Sequence, residues 1–235
     1  MRKLILPTFF LLLSLTGVAV CSADGNFVRF AGKTILLPPV EDYCLVTQQT
    51  EPEIILFRWM SEVQARAGNE LFQIWLDCDD YRKVVSGLEV DNLENWFINF
   101  ATLTGGQEER VSGISKREFQ KQWSDAISNI NSQFLGKRIN EIFDEVNSIY
   151  LGDEKITLSE PVFLGVLAET DSVHHGLLMD VEGQTVAGIL GIALINEVPF
   201  SQAFYSQFAR TDTFQVLLEK SKSYSTKLHR LNAKE

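Results

Sequence analysis

Four apolar segments in immediate succession, from Pro161 to Phe208, constrain the fold of this 235-residue chain more than any other feature. Short polar turns separate them, so the stretch reads as an antiparallel meander. In 161–169 both alternating faces are apolar, Val162, Leu164 and Val166 on one and Phe163 and Leu167 on the other, which predicts a strand covered on both sides in mid-sheet. Asp171-Ser172 supplies a turn, His174 to Val181 a second strand, and Glu182-Gly183-Gln184 another turn. The third strand, 185–195, sets Val186, Leu190, Ile192 and Leu194 on one face. Its other face mixes Ile189 and Ile195 with Ala187, Gly191 and Ala193, leaving room for a helix to come close. From Pro199, Phe200, Phe204 and Phe208 alternate with Gln202 and Ser206, the pattern of a half-solvated strand at the sheet margin.

The remaining elements follow in chain order. Phe27–Phe30 and Thr34–Leu37 flank Ala31-Gly32-Lys33 and predict an opening hairpin, ended by Pro38-Pro39. Residues 53–67 repeat Ile55, Leu56, Trp59, Met60 and Val63 at helical spacing, with Gly68-Asn69 as the stop. A strand at 70–77 follows, with Phe72, Ile74 and Leu76 inward, and then a short helix capped by Asp79-Asp80 and ended by Gly87. Trp96 to Leu103 is a further strand. Ser115 and Glu118 form a capping box ahead of a long helical stripe from Phe119 to Val146, too long for a domain of this size without a break near Gly136. Thr211-Asp212 opens a last helix whose apolar face is Phe214, Leu217, Leu218, Tyr224 and Leu228, suited to cover Gly191 and Ala193.

At the N-terminus, Arg2-Lys3 precedes a 17-residue apolar run, Leu4 to Val20, and then Cys21-Ser22-Ala23. This predicts a secretory signal peptide over 1–23, cleaved after Ala23. An uncleaved anchor and lipid attachment at Cys21 are the alternatives, although Val20 stands where a lipobox wants Gly, Ala or Ser. The mature span 24–235 suits one α/β domain better than two. Loss of two basic residues with the leader takes the formal charge from −10 to −12, which argues against nucleic acid and anionic headgroups as partners.

Two cysteines remain, Cys44 and Cys78, in a compartment that permits disulfides. A helix of ~15 residues and the following strand of ~8 have similar lengths and must fold back on each other, which brings the two cysteines together. Closing that loop contributes on the order of 3 to 4 kcal/mol in the chain-entropy model. A reactive thiol pair, the competing reading, lacks the C-x-x-C spacing.

The order hairpin, helix, strand, strand, long helix, meander, helix resembles the PsbP/Mog1-type α/β/α sandwich. Locally, LPPVEDYC (37–44), FQIWLDC (72–78) and FLGVLAETDSVHHGLL (163–178) resemble a group of exported proteobacterial proteins with no assigned activity. Asp42 departs from the Gly expected there before Tyr-Cys. The broader fold family serves as photosystem accessory subunits and as binders of small GTPases, so the resemblance implies docking to a partner rather than catalysis. It carries over no site residue.

No motif carries chemistry on its own. His174 and His175 are adjacent strand residues that point to opposite faces, so they cannot chelate one metal, and one is expected in solvent and one packed. Asp77, Asp79 and Asp80 lack the Gly and distal Glu of a calcium loop. Gly105-Gly106 lacks the phosphate-loop pattern and is followed by Glu108-Glu109, and Ser115 is an N-cap rather than a nucleophile. Phe200, Phe204, Tyr205 and Phe208, on a marginal strand, are candidates for an exposed recognition patch, with ordinary packing as the alternative. The reading is an exported, non-catalytic accessory or binding protein with no cofactor, no metal and an unidentified protein or small-molecule partner. The alternative is a secreted hydrolase-like enzyme. A deep pocket gathering two or more of His174, His175, Asp77, Asp171 and Asp180 would mark that enzyme.

Overall fold

The computed structural model describes residues 27–87, 93–128, 132–150, 159 and 161–233. The expected signal peptide, with Cys21 and Ala23, lies outside them. The chain opens with the hairpin β1 (Phe27–Phe30) and β2 (Lys33–Leu36), which turns through Ala31 and Gly32 at positive φ, the geometry that matches strand twist in a two-residue turn. Next come β3 (Tyr43–Leu45), α1 (Glu51–Arg66), β4 (Asn69–Asp77), α2 (Cys78–Val85), β5 (Asn95–Thr104) and the short β6 (Gln107–Glu108). Two helices, α3 (Lys116–Ser128) and α4 (Ser132–Tyr150), lead to the meander β7 (Val162–Glu169), β8 (Val173–Val181), β9 (Gln184–Ile195) and β10 (Val198–Gln207), and α5 (Thr213–Asn232) closes the chain.

Eight of the strands form one antiparallel sheet in the order β3-β4-β5-β10-β9-β8-β7, with β6 beside β5. The β1–β2 hairpin and α5 cover one face, where Phe30, Ile35, Phe97, Ile189, Phe200, Phe204, Leu217 and Leu228 interlock. On the other face, α1 and α4 bury Trp59, Met60, Val63, Ile142 and Val146 against Ile74, Ile98 and Ala203, and α3 adds Phe119 against Ile192 and Leu194. The architecture is a single α+β domain with helices on both faces of the sheet, as the sequence pattern predicts. Among the described residues no helix is long and apolar enough to cross a membrane.

Two strands exchange their expected places. β10 is central, hydrogen-bonded to β5 and β9, and among the described residues β7 is the edge. Phe200 and Phe204 are therefore core, and Gln202, which reads as solvent-facing, is 2% exposed. Conversely, Val162, Leu164 and Leu167 on β7 are 56%, 39% and 39% exposed. Alternation tells which residues share a face but not which strand completes the sheet, and here β5, far away in sequence, takes the position beside β10. A β-bulge accounts for a further difference: between Leu71 and Gln73 it sends Phe72 into the α5-side core, while Ile74 and Leu76 enter the α1-side core, instead of all three sharing a face.

The long helical stripe is two helices, and Gly136 lies inside α4 rather than at the break. The cap of α2 is Asp77, whose carboxylate accepts from the Asp79 N–H at 2.8 Å, not Asp79-Asp80. Ser115 and Glu118 do form the expected capping box, with both the N–H and Oγ of Ser115 donating to Glu118 and the Glu118 N–H donating to Ser115 Oγ.

Candidate functional site

The Cys44 and Cys78 sulfurs lie at bonding distance, 2.05 Å, with Cα atoms 5.0 Å apart, so the expected pair is a disulfide. It ties β3 to the start of α2. The loop ahead of β3, with Tyr43, lies against α5 and makes the larger of two concavities described, a groove of about 600 Å³. Pro39, Val40, Glu41 and Asp42 form one wall, and one stripe of α5 from Asp212 through Val216, Glu219 and Lys220 to Lys227 forms the other. That stripe follows helical spacing, so a single helix supplies a continuous wall. Phe204 and Tyr224 are buried at the floor. Val216, 49% exposed, adds an apolar patch to the rim.

Charge of both signs lines this groove. Lys227 pairs with Glu41 across one end. Lys220 stands 4.7 Å from the centroid of the Tyr43 ring and 3.3 Å from its hydroxyl. Burial, with Asp77 and Asp42 nearby, pushes the Tyr43 phenol up to about 12, so it stays protonated beside the ammonium. The groove is thus amphipathic, with an aromatic floor and a rim that can meet either charge.

Beneath α5 the sheet carries a buried polar layer. Gln202 Nε2 donates to the Ser221 carbonyl at 2.9 Å and also bonds Ser225 Oγ. Ser225 in turn accepts from Ser172 at 2.9 Å. His174 Nδ1 lies 2.9 Å from Ser221 Oγ, and its Nε2 lies 3.1 Å from Thr170 Oγ1. A second cluster joins Asn99 Nδ2 to Gln73 at 3.1 Å and to the Tyr224 hydroxyl at 3.2 Å. Ser221 and Ser225 are an i, i+4 pair on the apolar face of α5, a sequence signal of buried hydrogen bonding.

Both adjacent histidines are buried, His174 fully and His175 at 3% exposure, which corrects the expectation that one faces solvent. They do point to opposite faces: His174 sits opposite Gly191 on the α5 side, and His175 opposite Leu190 on the other. Both sides are covered by helices, so neither ring reaches water. Burial drives both imidazoles down to about 4, with Lys222 a further cause for His174 and His174 for His175, and both are neutral at pH 7. The His174–Ser221 contact has the atoms of a general base and a nucleophile. Ser221 is fully buried, however, and lines neither this groove nor a smaller concavity of about 330 Å³ near His229.

None of His174, His175, Asp77, Asp171 and Asp180 lines either concavity. Asp77, at the end of β4, is four strands from β8, and the Asp180 carboxylate accepts from the Gly183 N–H at 2.8 Å. Asp79 pairs with Arg82, and the buried Asp80 accepts from Lys83 and from the Glu94 N–H, both at 2.8 Å. Among the described residues no three His, Cys, Asp or Glu side chains gather as a metal site. The proposed aromatic patch is not assembled either. Phe200 and Phe204 are buried, Tyr205 stacks on Trp96 at 4.9 Å, and Phe208 leans on Phe214.

The other buried charge is Glu53, 1% exposed. Its carboxylate accepts from the N–H and hydroxyl of Thr47, the N–H of Gln49, the N–H and hydroxyl of Thr50 and the hydroxyl of Tyr81, at 2.8 to 3.2 Å. Burial alone would raise this acid, but the bonds from Thr47 and Thr50 outweigh it and hold it at about 2. Thr50-x-x-Glu53 is the capping-box signature that marks this position in the sequence.

Compared with known proteins, the chain matches no family model and no curated protein.

Proposed function

We propose that this is an exported binding protein that presents the α5 groove to a partner and performs no chemistry of its own. The groove carries this reading: it is a concavity of ligand-binding size with an apolar floor and a charged rim, built on a helix pinned to the sheet. The polar groups that resemble catalytic parts are spent on holding that helix. An address outside the cytoplasm fits the same reading. A leader removed after Ala23 exposes the chain to an oxidising compartment, where the Cys44–Cys78 bridge is stable. The resemblance to exported proteins of the PsbP/Mog1-type sandwich points the same way, toward docking.

Capture of partners from the host's own envelope tests this. Tagged wild-type protein is compared with Val216→Arg, which places a charge on the exposed groove rim, and with Ile55→Arg, an equally exposed change on α1. The expected result is a partner retained by wild type and Ile55→Arg and lost by Val216→Arg. Equal retention by all three would remove the groove from recognition. The intact mass of the same exported protein is expected to begin at Asp24 without acyl mass. A chain beginning at acylated Cys21 would make it a membrane-tethered accessory instead.

A further inference from the structure

Six charged side chains line the α5 groove, and four of them are spent on ion pairs. Glu41 holds Lys227 across one end, Asp212 holds Arg210 at 2.8 Å, and Glu219 holds Lys222 at 3.2 Å. Among the described residues no ion pair reaches the other two, Asp42 and Lys220, which carry opposite charges on opposite walls. Lys220 is half-buried and gives one of its three ammonium N–H groups to the Tyr43 hydroxyl at 3.3 Å, so two remain for an acceptor in the groove. Asp42 is exposed and stands at φ +65°, a conformation in which glycine is the default residue, yet the position carries a carboxylate. Between these walls the floor is apolar, Phe204 and Tyr224, with Val216 exposed at the rim. Gln215 and Ser223, exposed on the same stripe of α5, add an amide and a hydroxyl.

We infer that the α5 groove takes a short apolar peptide with both ends free, its carboxylate on Lys220 and its ammonium on Asp42. This rests on the groove being the recognition site and adds what it recognises. The two charges do not pair with each other, so a ligand carrying both signs satisfies both at once, whereas a simple anion or cation leaves one unmatched. Apolar side chains of the peptide lie on Phe204 and Tyr224 and against Val216, while Gln215 and Ser223 meet the N–H and C=O of the peptide bond, which need partners once water is displaced. A groove of about 600 Å³ has the size of a small-ligand site. Charge over the whole molecule is compatible with this choice. A formal charge of −10 repels free anions but does not oppose a ligand of no net charge.

Isothermal titration calorimetry of the exported protein, disulfide intact, tests this with leucyl-leucine, its N-acetyl form, which lacks the ammonium, and its C-terminal amide, which lacks the carboxylate. The free dipeptide is expected to bind, and each blocked form to bind ~10-fold or more weakly. Lys220→Met should weaken the free dipeptide by a similar factor and erase its preference over the amide. Asp42→Asn should do the same for its preference over the N-acetyl form. Met keeps an apolar stem beside Tyr43 and Asn tolerates positive φ, so both variants are expected to keep the thermal transition of wild type. Equal binding of the three forms, preferences unmoved by the two variants, or no binding of the dipeptide overturns the inference. The groove itself is judged separately, by whether Val216→Arg abolishes capture of the envelope partner, whatever the dipeptides do.

Discussion

Helices α1 and α5 lie on opposite faces of one sheet and are held in different ways. α1 packs through Trp59, Met60 and Val63 on an apolar surface; Glu53 at its first turn gathers six donors from the preceding loop and Tyr81, and in mid-length Trp59 Nε1 donates to Asn147 on the neighbouring helix α4 rather than to the sheet. α5 is anchored in mid-length, where Ser221, Tyr224 and Ser225 bond to Gln202, His174 and Asn99 beneath it. Apolar packing rewards burial without fixing a register, whereas directional bonds in a water-free layer fix one position along the helix axis. The difference falls where recognition is proposed. The helix that walls the groove is the one whose mid-length is hydrogen-bonded to the sheet beneath it, and a wall fixed in place loses less entropy on binding.

The largest expected effect breaks the anchorage of α1. Glu53→Gln keeps the shape but turns N–H groups toward a ring of donors, and it should lower stability by about 3 to 4 kcal/mol, measured by urea unfolding at pH 7. The pH dependence carries the same signature. Because the folded acid is held at about 2, below its ordinary value of 4.5, its contribution is present above pH 4.5 and lost as pH falls toward 2. Glu53→Gln should flatten that window.

Acidification acts on the histidines in a higher window. Folded His174 and His175 titrate near 4 against an ordinary 6.5, so the unfolded chain binds the extra protons between these values. Stability should therefore be full above pH 6.5 and decline as pH falls to 4, by on the order of 3 kcal/mol per ring at most. His174→Gln, which retains a side chain able to bond Ser221, should reduce this slope. An unchanged slope would show that His174 is not buried neutral.

A smaller effect is expected at Gly191, where a Cβ would come within 2.7 Å of Gln202 Nε2 and 3.1 Å of His174 Nδ1. Gly191→Val should cost ~1 to 3 kcal/mol through overpacking. A change within ~0.5 kcal/mol, the range of surface sites, would mean that Gln202 is free to move and that the polar layer is not tightly held.

Much of this organisation is legible in the sequence. The meander is visible because turn chemistry separates its strands, and α5 because Leu217, Tyr224 and Leu228 recur at helical spacing. The disulfide follows from the fold-back of α1 on β4. What the pattern does not carry is long-range partnership. Gln202 reads as solvent-facing because it is polar, although at period two it shares the face of Phe200 and Phe204 and lies with them under α5, where Ser221 and Ser225 take its amide. The apolar run in β7 reads as central because two apolar faces describe a covered strand and an exposed edge equally well. Bulges at Leu71–Gln73 and within β7 redirect single side chains, and no residue type announces them beyond Gly165. The groove is a product of two segments distant in sequence, 39–42 and 212–227, and had no local signal at all.

Recognition by the groove, as proposed, depends on α5 being fixed by its polar layer, and residue-resolved amide exchange at pH 7 and pH 5, corrected for the intrinsic rate at each pH, tests this most directly. At pH 7 the central turns of α5, around Ser221 to Ser225, should be as protected as the central strands β9 and β10. At pH 5, as protons begin to compete for the neutral His174 beneath it, α5 should lose protection by a larger factor than α1. Equal loss in the two helices, or an α1 that loosens first, would contradict a specifically pinned α5 and with it the rigid groove on which recognition is proposed to depend.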